Sequence, residues 1–554
     1  MQKRASRALT ASWLCAVLAW GASCADRTPS AQSPPSPDPR DDARSPALVV
    51  SVVVDQLASW TFERYQPLLP DDGFFRRATQ HGAYVPRVAY PQANTSTAAG
   101  HTTIYTGVAA AEHGAVANRV WRRQRNATVP AFDDGVHEVH GREGSYASPA
   151  AIATETVADA LYRQSDGRAR TLSISLKDRG AIPGGGSNAE AVLWYDPNQG
   201  RFTSSDYYGD LPSWLSDWQA ERPLDTWLEP WSPLDEASLA SELGPDGRPG
   251  EGDYLGLDAK FPHDPRQTED PKSAFRLMPA STNAIFDLAL RGVRDLELGS
   301  RGEAELLALA ISANDYVGHT FGPESWEYVD ALIRLDRDLA DFVDALEDEV
   351  GAVSVLVTSD HGVARLPEAS GADGYASGRL FSDEVEAALE DALTGALGTG
   401  DWISAFSSPF VYLTERARDP ELRDESIRVA KETLEELPGV HAAYGVRDED
   451  MLRASSESLE RAVFLSLGGD VEPDVYVVLE RHYTLDAGMP RGFGSNHGSP
   501  WRYDREVPVF AAGPEVPSFT SADAPSDMRQ VAATLARLLD IERPEGAAEA
   551  LWSE

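Results

Sequence analysis

The chain has 554 residues, of which 42% are hydrophobic and 25% charged, so it is long and apolar enough to bury at least one large core. Aspartate and glutamate total 88 against 49 lysine and arginine residues, which gives a net charge of −39. This balance argues against nucleic-acid binding through a basic face and against adhesion to anionic lipid.

Residues 1–24 have the pattern of a secretory signal peptide, with basic residues before an apolar run from Leu9 to Trp20. The alternative, a membrane-spanning helix, requires ~20 apolar residues, more than this run offers. Small residues before Cys24 resemble a bacterial lipoprotein cleavage box, which leaves open whether Cys24 is lipidated or the signal is simply cleaved. We therefore expect an exported protein, periplasmic or anchored to a bacterial membrane as a lipoprotein.

The two cysteines of the sequence, Cys15 and Cys24, lie inside or at the edge of this signal. The body of the chain is therefore expected to have no disulfide, thiolate metal site or cysteine nucleophile. Residues 25–46 are rich in Pro, Ser, Asp and Arg, a composition typical of a flexible linker.

Continuous apolar runs that end close to an aspartate recur in the body of the chain. Such runs indicate strands buried on both faces, and they alternate with helical periodicity, as in residues 324–350. We predict an α/β catalytic domain over residues 47–545, with a mostly parallel central sheet sandwiched by helices. The runs and their aspartates are Ala47–Val54 with Asp55, Glu305–Ser312 with Asp315, and Val353–Thr358 with Asp360.

Residues 126–280 and 366–490 carry more Gly, Pro and turn signals and are predicted to be inserted segments that cap or decorate the sheet. The first contains four tryptophans between positions 214 and 231, which either pack the insertion or form a wall that stacks on substrate. It also contains an acidic, Gly-rich stretch at 234–258, interpreted as a solvated loop, with a calcium site as the alternative.

Aspartates just past the carboxyl ends of parallel strands stand where open α/β sheets bind ligands. A single aspartate there is more often a helix cap or a turn residue. The accompanying histidines change the interpretation, because Asp and His side chains are the ligands of two-metal sites. The histidines occur in Asp315-Tyr-Val-Gly-His319, in Asp360-His361 and in Gly-Ser-Asn-His497-Gly.

The segment Thr97-Ala-Ala-Gly100-His101 predicts a tight turn that leads into a helix. A hydroxyl at a helix start faces positive backbone amides and can be deprotonated beside a metal ion. Helix capping alone is the other explanation for a threonine at this position.

In this order, the motifs resemble those of the alkaline phosphatase superfamily, and most closely the bacterial PafA-type alkaline phosphatases with a threonine nucleophile. The resemblance implies two Zn²⁺ ions, one held by Asp315, His319 and His497. It assigns the second ion to Asp55, Asp360 and His361, with Thr97 as the nucleophile that faces this ion. His101 belongs to the motif and is expected to be structural.

The resemblance further implies that Asn118, Lys177 and Arg179 bind phosphoryl oxygens. It predicts hydrolysis of small phosphate monoesters through a phosphothreonine intermediate, by a protein expected to be a monomer. The turn Ala98-Ala99 lacks the proline that is common in the family. A nucleotide phosphodiesterase or pyrophosphatase on the same scaffold, and a non-catalytic phosphate-binding lipoprotein, remain alternatives.

Overall fold

A ten-stranded sheet lies at the centre of the structure, a computed structural model that describes residues 47–446, 454, 458–486, 490–521 and 525–553. The predicted signal peptide at 1–24, the linker at 25–46 and Cys24 lie outside the described residues. Within those ranges, no helix combines the length and the apolar character that a membrane span requires.

The described strands are, in chain order, β1 (Leu48–Val54), β2 (Ala83–Ala89), β3 (Arg119–Arg122), β4 (Ala127–Pro130), β5 (Glu138–Val139), β6 (Arg142–Tyr146), β7 (Thr171–Ser175), β8 (Ala191–Asp196), β9 (Arg201–Thr203), β10 (Glu305–Ile311), β11 (Val353–Thr358), β12 (Gly378–Phe381), β13 (Ile403–Ser407), β14 (Phe410–Leu413), β15 (Val440–Gly445), β16 (Val475–Leu479), β17 (Tyr483–Asp486), β18 (Glu506–Ala512), β19 (Phe519–Thr520) and β20 (Ser526–Asp527).

The described α-helices are α1 (Ser59–Tyr65), α2 (Phe74–His81), α3 (Thr97–Thr106), α4 (Ala110–His113), α5 (Val157–Gln164), α6 (Asp178–Gly185), α7 (Ser213–Glu221), α8 (Glu236–Leu243), α9 (Pro271–Ala274), α10 (Pro279–Asp295), α11 (Ala313–Phe321), α12 (Trp326–Val350), α13 (Pro367–Ala372), α14 (Ser382–Leu397), α15 (Arg423–Glu436), α16 (Leu459–Phe464), α17 (Arg502–Arg505) and α18 (Gln530–Leu538).

The central sheet has the order β19-β2-β18-β11-β1-β10-β7-β8-β9, with β20 beside β2. Strands β11, β1, β10, β7 and β8 run parallel, whereas β18 and β9 run against their neighbours. The predicted α/β class with a mostly parallel sheet is therefore confirmed.

Strand β1 explains why a continuous apolar run marks the middle of this sheet. All seven of its residues are buried. Val50 and Val52 pack into the apolar cluster that contains residues of α10 and α12, while Val49 and Val53 pack with residues of α3 and α18. Because helices cover both faces, an alternating polar pattern would leave polar groups in a core.

The predicted insertion at 126–280 includes residues that belong to the central sheet. Strands β7, β8 and β9 lie within it and extend the central sheet beyond β10. Serines interrupt the apolar run of β7, which is why the sequence pattern missed it. Residues 366–490, in contrast, contain a separate antiparallel sheet of order β13-β14-β16-β15, which has its own apolar core with α14 and α15.

The four tryptophans of the first inserted segment pack against the main core. Trp214, Trp218 and Trp231 are at most 7% exposed, and Trp227 packs against the same cluster. The indole nitrogens of Trp218 and Trp231 each donate a hydrogen bond of 2.7 Å, to Asp287 and Asp330. Of the two interpretations, the structure supports packing rather than a wall that stacks on substrate.

We expect Leu309→Ala to lower the free energy of unfolding by about 2–5 kcal/mol, because Leu309 is fully buried in β10 and its truncation leaves a cavity. Leu234→Ala is the matched control, since Leu234 is 42% exposed, and should change stability by less than about 0.5 kcal/mol. Urea titration followed by tryptophan fluorescence measures both. Equal shifts for the two variants would contradict this account of the core.

Candidate active site

Four adjacent parallel strands deliver charged side chains to one edge of the sheet. Asp55 directly follows β1, and Asp360 and His361 follow β11. Asp315 lies in the first turn of α11, just after β10, and Lys177 follows β7. Since the carboxyl ends of parallel strands meet at the same edge, these residues converge although they are far apart in sequence.

The orientation of β18 brings His497 to the same edge. This strand is antiparallel to β11, so its amino end lies beside the carboxyl ends of the parallel strands. The segment that contains His497 precedes β18 and therefore reaches the acidic residues.

The first predicted metal set is assembled around Asp315. Residues Asp315 and His319 lie one turn apart on α11, and His319 Nε2 is 3.1 Å from Asp315 Oδ1. His497 Nε2 is 3.7 Å from the same oxygen. The three side chains offer ligand atoms that all lie within 4.8 Å of one another.

The second predicted set meets at His361, whose Nε2 is 3.3 Å from both Asp55 Oδ1 and Asp360 Oδ2. Burial and the charge of Asp55 raise the pKa of Asp360 well above its ordinary value. Asp55, Asp315 and His361 also bring ligand atoms within 4.8 Å of one another, so Asp315 lies between the two sets. The resemblance of the motifs implies Asp315 as a ligand of the first set alone.

Hydrogen bonds orient all three histidines in the same way. The Nδ1 atoms of His319, His361 and His497 lie 2.9, 3.0 and 2.6 Å from the backbone carbonyls of Ser495, Gly362 and Thr95, respectively. A carbonyl can only accept, so each Nδ1 carries a proton, and in the neutral ring Nε2 keeps a lone pair toward the carboxylates.

Two of these rings also have depressed pKa values. Burial lowers the pKa of His361 to about 3, and burial together with His361 and His319 lowers that of His497 well below its ordinary value. Burial also disfavours the protonated form of His319, but the negative charge of Asp315 has the larger effect and raises the pKa of His319.

The residues fit divalent metal ions. Asp55 Oδ1, Asp360 Oδ2 and His361 Nε2 are buried and have no hydrogen-bond partner, which is costly unless a cation binds them. A donor set of imidazole nitrogens and carboxylate oxygens suits zinc and related transition metals.

Lys177 lies against the acidic residues. Its Nζ is 2.5 Å from Asp55 Oδ2 and 2.5 Å from Asp315 Oδ2, and its residue is only 3% exposed. Burial opposes the ammonium charge, but the two carboxylates outweigh it and raise the pKa of Lys177. Arg179 sits two residues further on, in the first turn of α6, beside Asp178.

Thr97 is the first residue of α3 and is 1% exposed. The amide of Ala98 donates to Asn118 Oδ1 at 2.9 Å, which ties Asn118 to the start of this helix. His101, expected to be structural, lies one turn further along, with Nε2 3.6 Å from Asp360 Oδ2. Burial lowers the pKa of His101 to about 4. This neutral histidine therefore borders the second metal set.

Close backbone packing explains the glycines of the motifs. A Cβ at Gly100 would overlap the backbone carbonyl of Asp360, and one at Gly318 would overlap Gln56 Oε1. Sequence analysis missed Gln56, whose Nε2 donates to Asp315 Oδ1 at 2.8 Å and whose amide donates to Asp360 Oδ1 at 3.2 Å. Its position directly after Asp55 was the only available signal.

Two cavities adjoin the site. One, of about 460 Å³, is lined by His319, His497 and Asn118 and by Phe406 and Tyr483 of the second inserted segment. The other, of about 330 Å³, has Lys177, Arg179, Arg142 and Tyr316 among its lining residues. The predicted phosphoryl-binding residues therefore face two different openings.

A sequence model of the type I phosphodiesterase/nucleotide pyrophosphatase family matches residues 49–499. Alkaline phosphatase PhoV of Synechococcus elongatus is 29% identical over 527 residues, covering 93% of both chains. Alkaline phosphatase PafA of Elizabethkingia meningoseptica is 28% identical over 517 residues, covering 91% of this chain and 93% of the relative.

The crystal structure of wild-type PafA superimposes with a TM-score of 0.84 at 26% identity, covering 92% of this chain and 98% of that one. Murine ectonucleotide pyrophosphatase/phosphodiesterase 5 superimposes with a TM-score of 0.53 at 14% identity, covering 91% of this chain and 97% of that one, which shows a shared fold.

We expect Gly318→Ala to weaken zinc binding by ~10–100-fold, because the new methyl group displaces Gln56 and so removes a hydrogen bond to Asp315. Competition with a chromophoric chelator measures the affinity. Gly395→Ala is the control, since Gly395 lies in α14 with no heavy atom within 4 Å of the added carbon. Unchanged zinc affinity in Gly318→Ala would contradict this role of Gln56.

Proposed function

The chain belongs to the type I phosphodiesterase/nucleotide pyrophosphatase family of the alkaline phosphatase superfamily, and we propose that it hydrolyses phosphate monoesters with the help of two zinc ions. The observation that carries the proposal is the convergence of Asp and His ligand atoms, which contact the segment around the start of α3 through His497 and Thr95 and through Asp360 and His101. The similarity to two alkaline phosphatases over nearly the whole chain supports the same activity.

In this proposal, Asp315, His319 and His497 hold one ion, and Asp55, Asp360 and His361 hold the other. When bound, the ions supply positive charge to the attacking and leaving oxygens of an in-line displacement. The neutral imidazoles of His361 and His497 are suited to this task, because a metal ligand must not carry a proton on the coordinating nitrogen.

Thr97 is proposed as the nucleophile. Its hydroxyl stands at the amino end of α3, where the helix dipole favours negative charge. Attack on phosphorus forms a bond from Thr97 Oγ1, whose proton is lost to solvent, and breaks the bond to the ester oxygen. The leaving alkoxide takes up a proton from solvent and departs as the alcohol, which leaves a phosphothreonine. Water then hydrolyses this intermediate and regenerates the threonine.

Lys177, Arg179 and Asn118 are proposed to bind the remaining phosphoryl oxygens. A monoester is a dianion, so it benefits from more positive charge than a diester does. Coordination of metal by Asp55 and Asp315 would leave the Lys177 ammonium, which pairs with both carboxylates here, available to a substrate oxygen. Arg179 has a buried Nε without a partner, so it can donate a further hydrogen bond.

A variant of PafA with substitutions at a threonine, an asparagine, a lysine and an arginine superimposes equally well, with a TM-score of 0.84. The threonine and asparagine of that variant are 21 positions apart, as are Thr97 and Asn118, and its lysine and arginine are two apart, as are Lys177 and Arg179. The equal spacings support the assignment of these four residues.

We expect Thr97→Ala to lower kcat/KM for p-nitrophenyl phosphate by at least ~1,000-fold, since the variant lacks the attacking oxygen. Thr97→Ser should retain measurable turnover. Ser96→Ala is a matched control, because this neighbouring hydroxyl is buried without a hydrogen-bond partner and should be dispensable. Normal turnover by Thr97→Ala would reject the nucleophile, and absence of turnover in the zinc-loaded wild type would favour a phosphate-binding protein.

The second candidate is a nucleotide phosphodiesterase or pyrophosphatase, which the name of the family itself favours. The proposed metal ligands serve either reaction equally well. The basic pair at Lys177 and Arg179 favours monoesters, because a diester has one fewer anionic oxygen and an additional group to accommodate.

We expect Arg179→Ala to lower kcat/KM for p-nitrophenyl phosphate by about 100-fold, the size of effect that loss of one electrostatic contact to the transition state produces. Hydrolysis of bis(p-nitrophenyl) phosphate should fall much less. Arg142→Ala is the control, because Arg142 lines the same cavity but pairs with Asp196 at 2.9 Å. A wild-type preference for the diester would overturn the monoesterase proposal.

Export remains part of the proposal on the strength of residues 1–24 alone. With a net charge of −39, the protein as a whole repels an anionic substrate. Attraction of the substrate therefore requires a local positive centre, which bound metal ions would supply.

A further inference from the structure

A second cluster of acidic residues lies outside the site described above. Asp246 and Glu251 belong to the segment after α8, and Glu327 lies in the first turn of α12. Their carboxylates offer ligand atoms within 4.8 Å of one another. The sequence indicates a solvated loop over 234–258, with a calcium site as the alternative, but Glu251 in this loop is only 5% exposed. Glu327, on the neighbouring helix, is 0% exposed.

One oxygen of each carboxylate is held by a hydrogen bond. Asp246 Oδ2 accepts from the Phe261 amide at 3.0 Å, and Glu251 Oε2 accepts from the Arg248 amide at 2.8 Å. Glu327 Oε1 lies 2.9 Å from His263 Nε2. These bonds fix the three carboxylates in place.

The other oxygens of two of these groups lack any partner. Asp246 Oδ1 and Glu327 Oε2 are buried and form no hydrogen bond. An oriented, buried carboxylate oxygen without a hydrogen-bond partner carries a large desolvation cost. In an ordinary acidic loop such oxygens would be exposed to water, so these two buried oxygens distinguish the cluster from one.

The charges in contact do not balance. His263 Nδ1 lies 3.0 Å from the Leu257 carbonyl and therefore donates its proton there, so the ring can donate to Glu327 only when it carries a second proton. Even with that positive charge on His263, two of the three carboxylates have no ion-pair partner among the described residues. Burial and the charges of Glu327 and Asp246 raise the pKa of Glu251 to about 8, although Arg248 opposes the rise.

We propose that Asp246, Glu251 and Glu327 bind one Ca²⁺ ion. The ligand atoms are carboxylate oxygens, and calcium prefers six to eight oxygen ligands in flexible geometry, whereas zinc prefers nitrogen and sulfur. Glycines at 244, 247, 250 and 252 allow the segment to turn tightly, so that backbone carbonyls can complete the coordination.

Backbone hydrogen bonds connect the segment at 246–252 to the chain beside two histidines of the candidate active site. Gly252 donates its amide to the carbonyl of Thr320 at 2.8 Å, next to His319. Gly250 accepts from the amide of Gly494 at 2.7 Å, three residues before His497. Calcium binding therefore stabilises the backbone to which both histidines belong, while the ion itself takes no part in the chemistry.

Calcium titration of the zinc-loaded full chain tests the proposal. We expect the melting temperature to rise as CaCl₂ approaches about 1 mM, the range typical of extracellular calcium sites, and calcium analysis to give one ion per chain. Magnesium at the same concentration should give a smaller rise, because it dehydrates reluctantly.

Glu251→Gln is the informative variant, and Glu242→Gln, in the exposed part of α8, is its matched control. Glu251→Gln should abolish the calcium-dependent rise, keep its zinc content, and melt no lower than the wild type without calcium, since it relieves repulsion. Asp246→Asn provides a second variant. An equal calcium response in Glu251→Gln and wild type, or no calcium bound at about 1 mM, would overturn the site in favour of carboxyl groups that share protons.

Discussion

Buried negative charge at the carboxyl edge of the sheet is the constraint on which the rest of the structure depends. Asp55, Asp315 and Asp360 are each at most 2% exposed and lie within a few residues of adjacent strand ends. Such a group is stable only when cations approach it closely. Lys177 meets two of these carboxylates, and the imidazoles of His319, His361 and His497 lie beside them. This edge of the sheet therefore favours the binding of cations, and bound cations in turn favour the binding of an anionic ligand.

Small residues make this convergence possible. The helix that begins at Thr97 can approach Asp360 only because Gly100 has no side chain, and α11 can approach Gln56 only because of Gly318. Gly494 meets the backbone of His319 in the same way, at a positive φ of 66°. The glycines in the sequence motifs are thus required by close packing, whereas the neighbouring aspartates and histidines provide the chemistry.

The sequence allowed prediction of those parts that depend on local patterns. The apolar run before Asp55 indicated a buried strand, because both faces of β1 are covered by helices. Strands β7 and β8 were missed, and in β7 serines interrupt the apolar pattern.

The candidate site was likewise predicted only in part. The resemblance of the motifs supplied the grouping of distant ligands such as His497. The double contact of Gln56 and the central place of Asp315 required the three-dimensional arrangement, because no sequence pattern encodes which atoms meet across the sheet. The contact of Glu327 with the segment after α8 escaped for the same reason.

The second inserted segment has a separate sheet and core, yet it contributes Phe406 and Tyr483 to the larger cavity. This sheet packs on α14 and α15, but Phe410, Tyr412 and Tyr476 also share an apolar cluster with Ala99 of α3 and Val120 of β3. Exchange between relatives of only those side chains that line the cavity can therefore alter selectivity for the organic portion of a substrate, while the packing beneath α3 is kept.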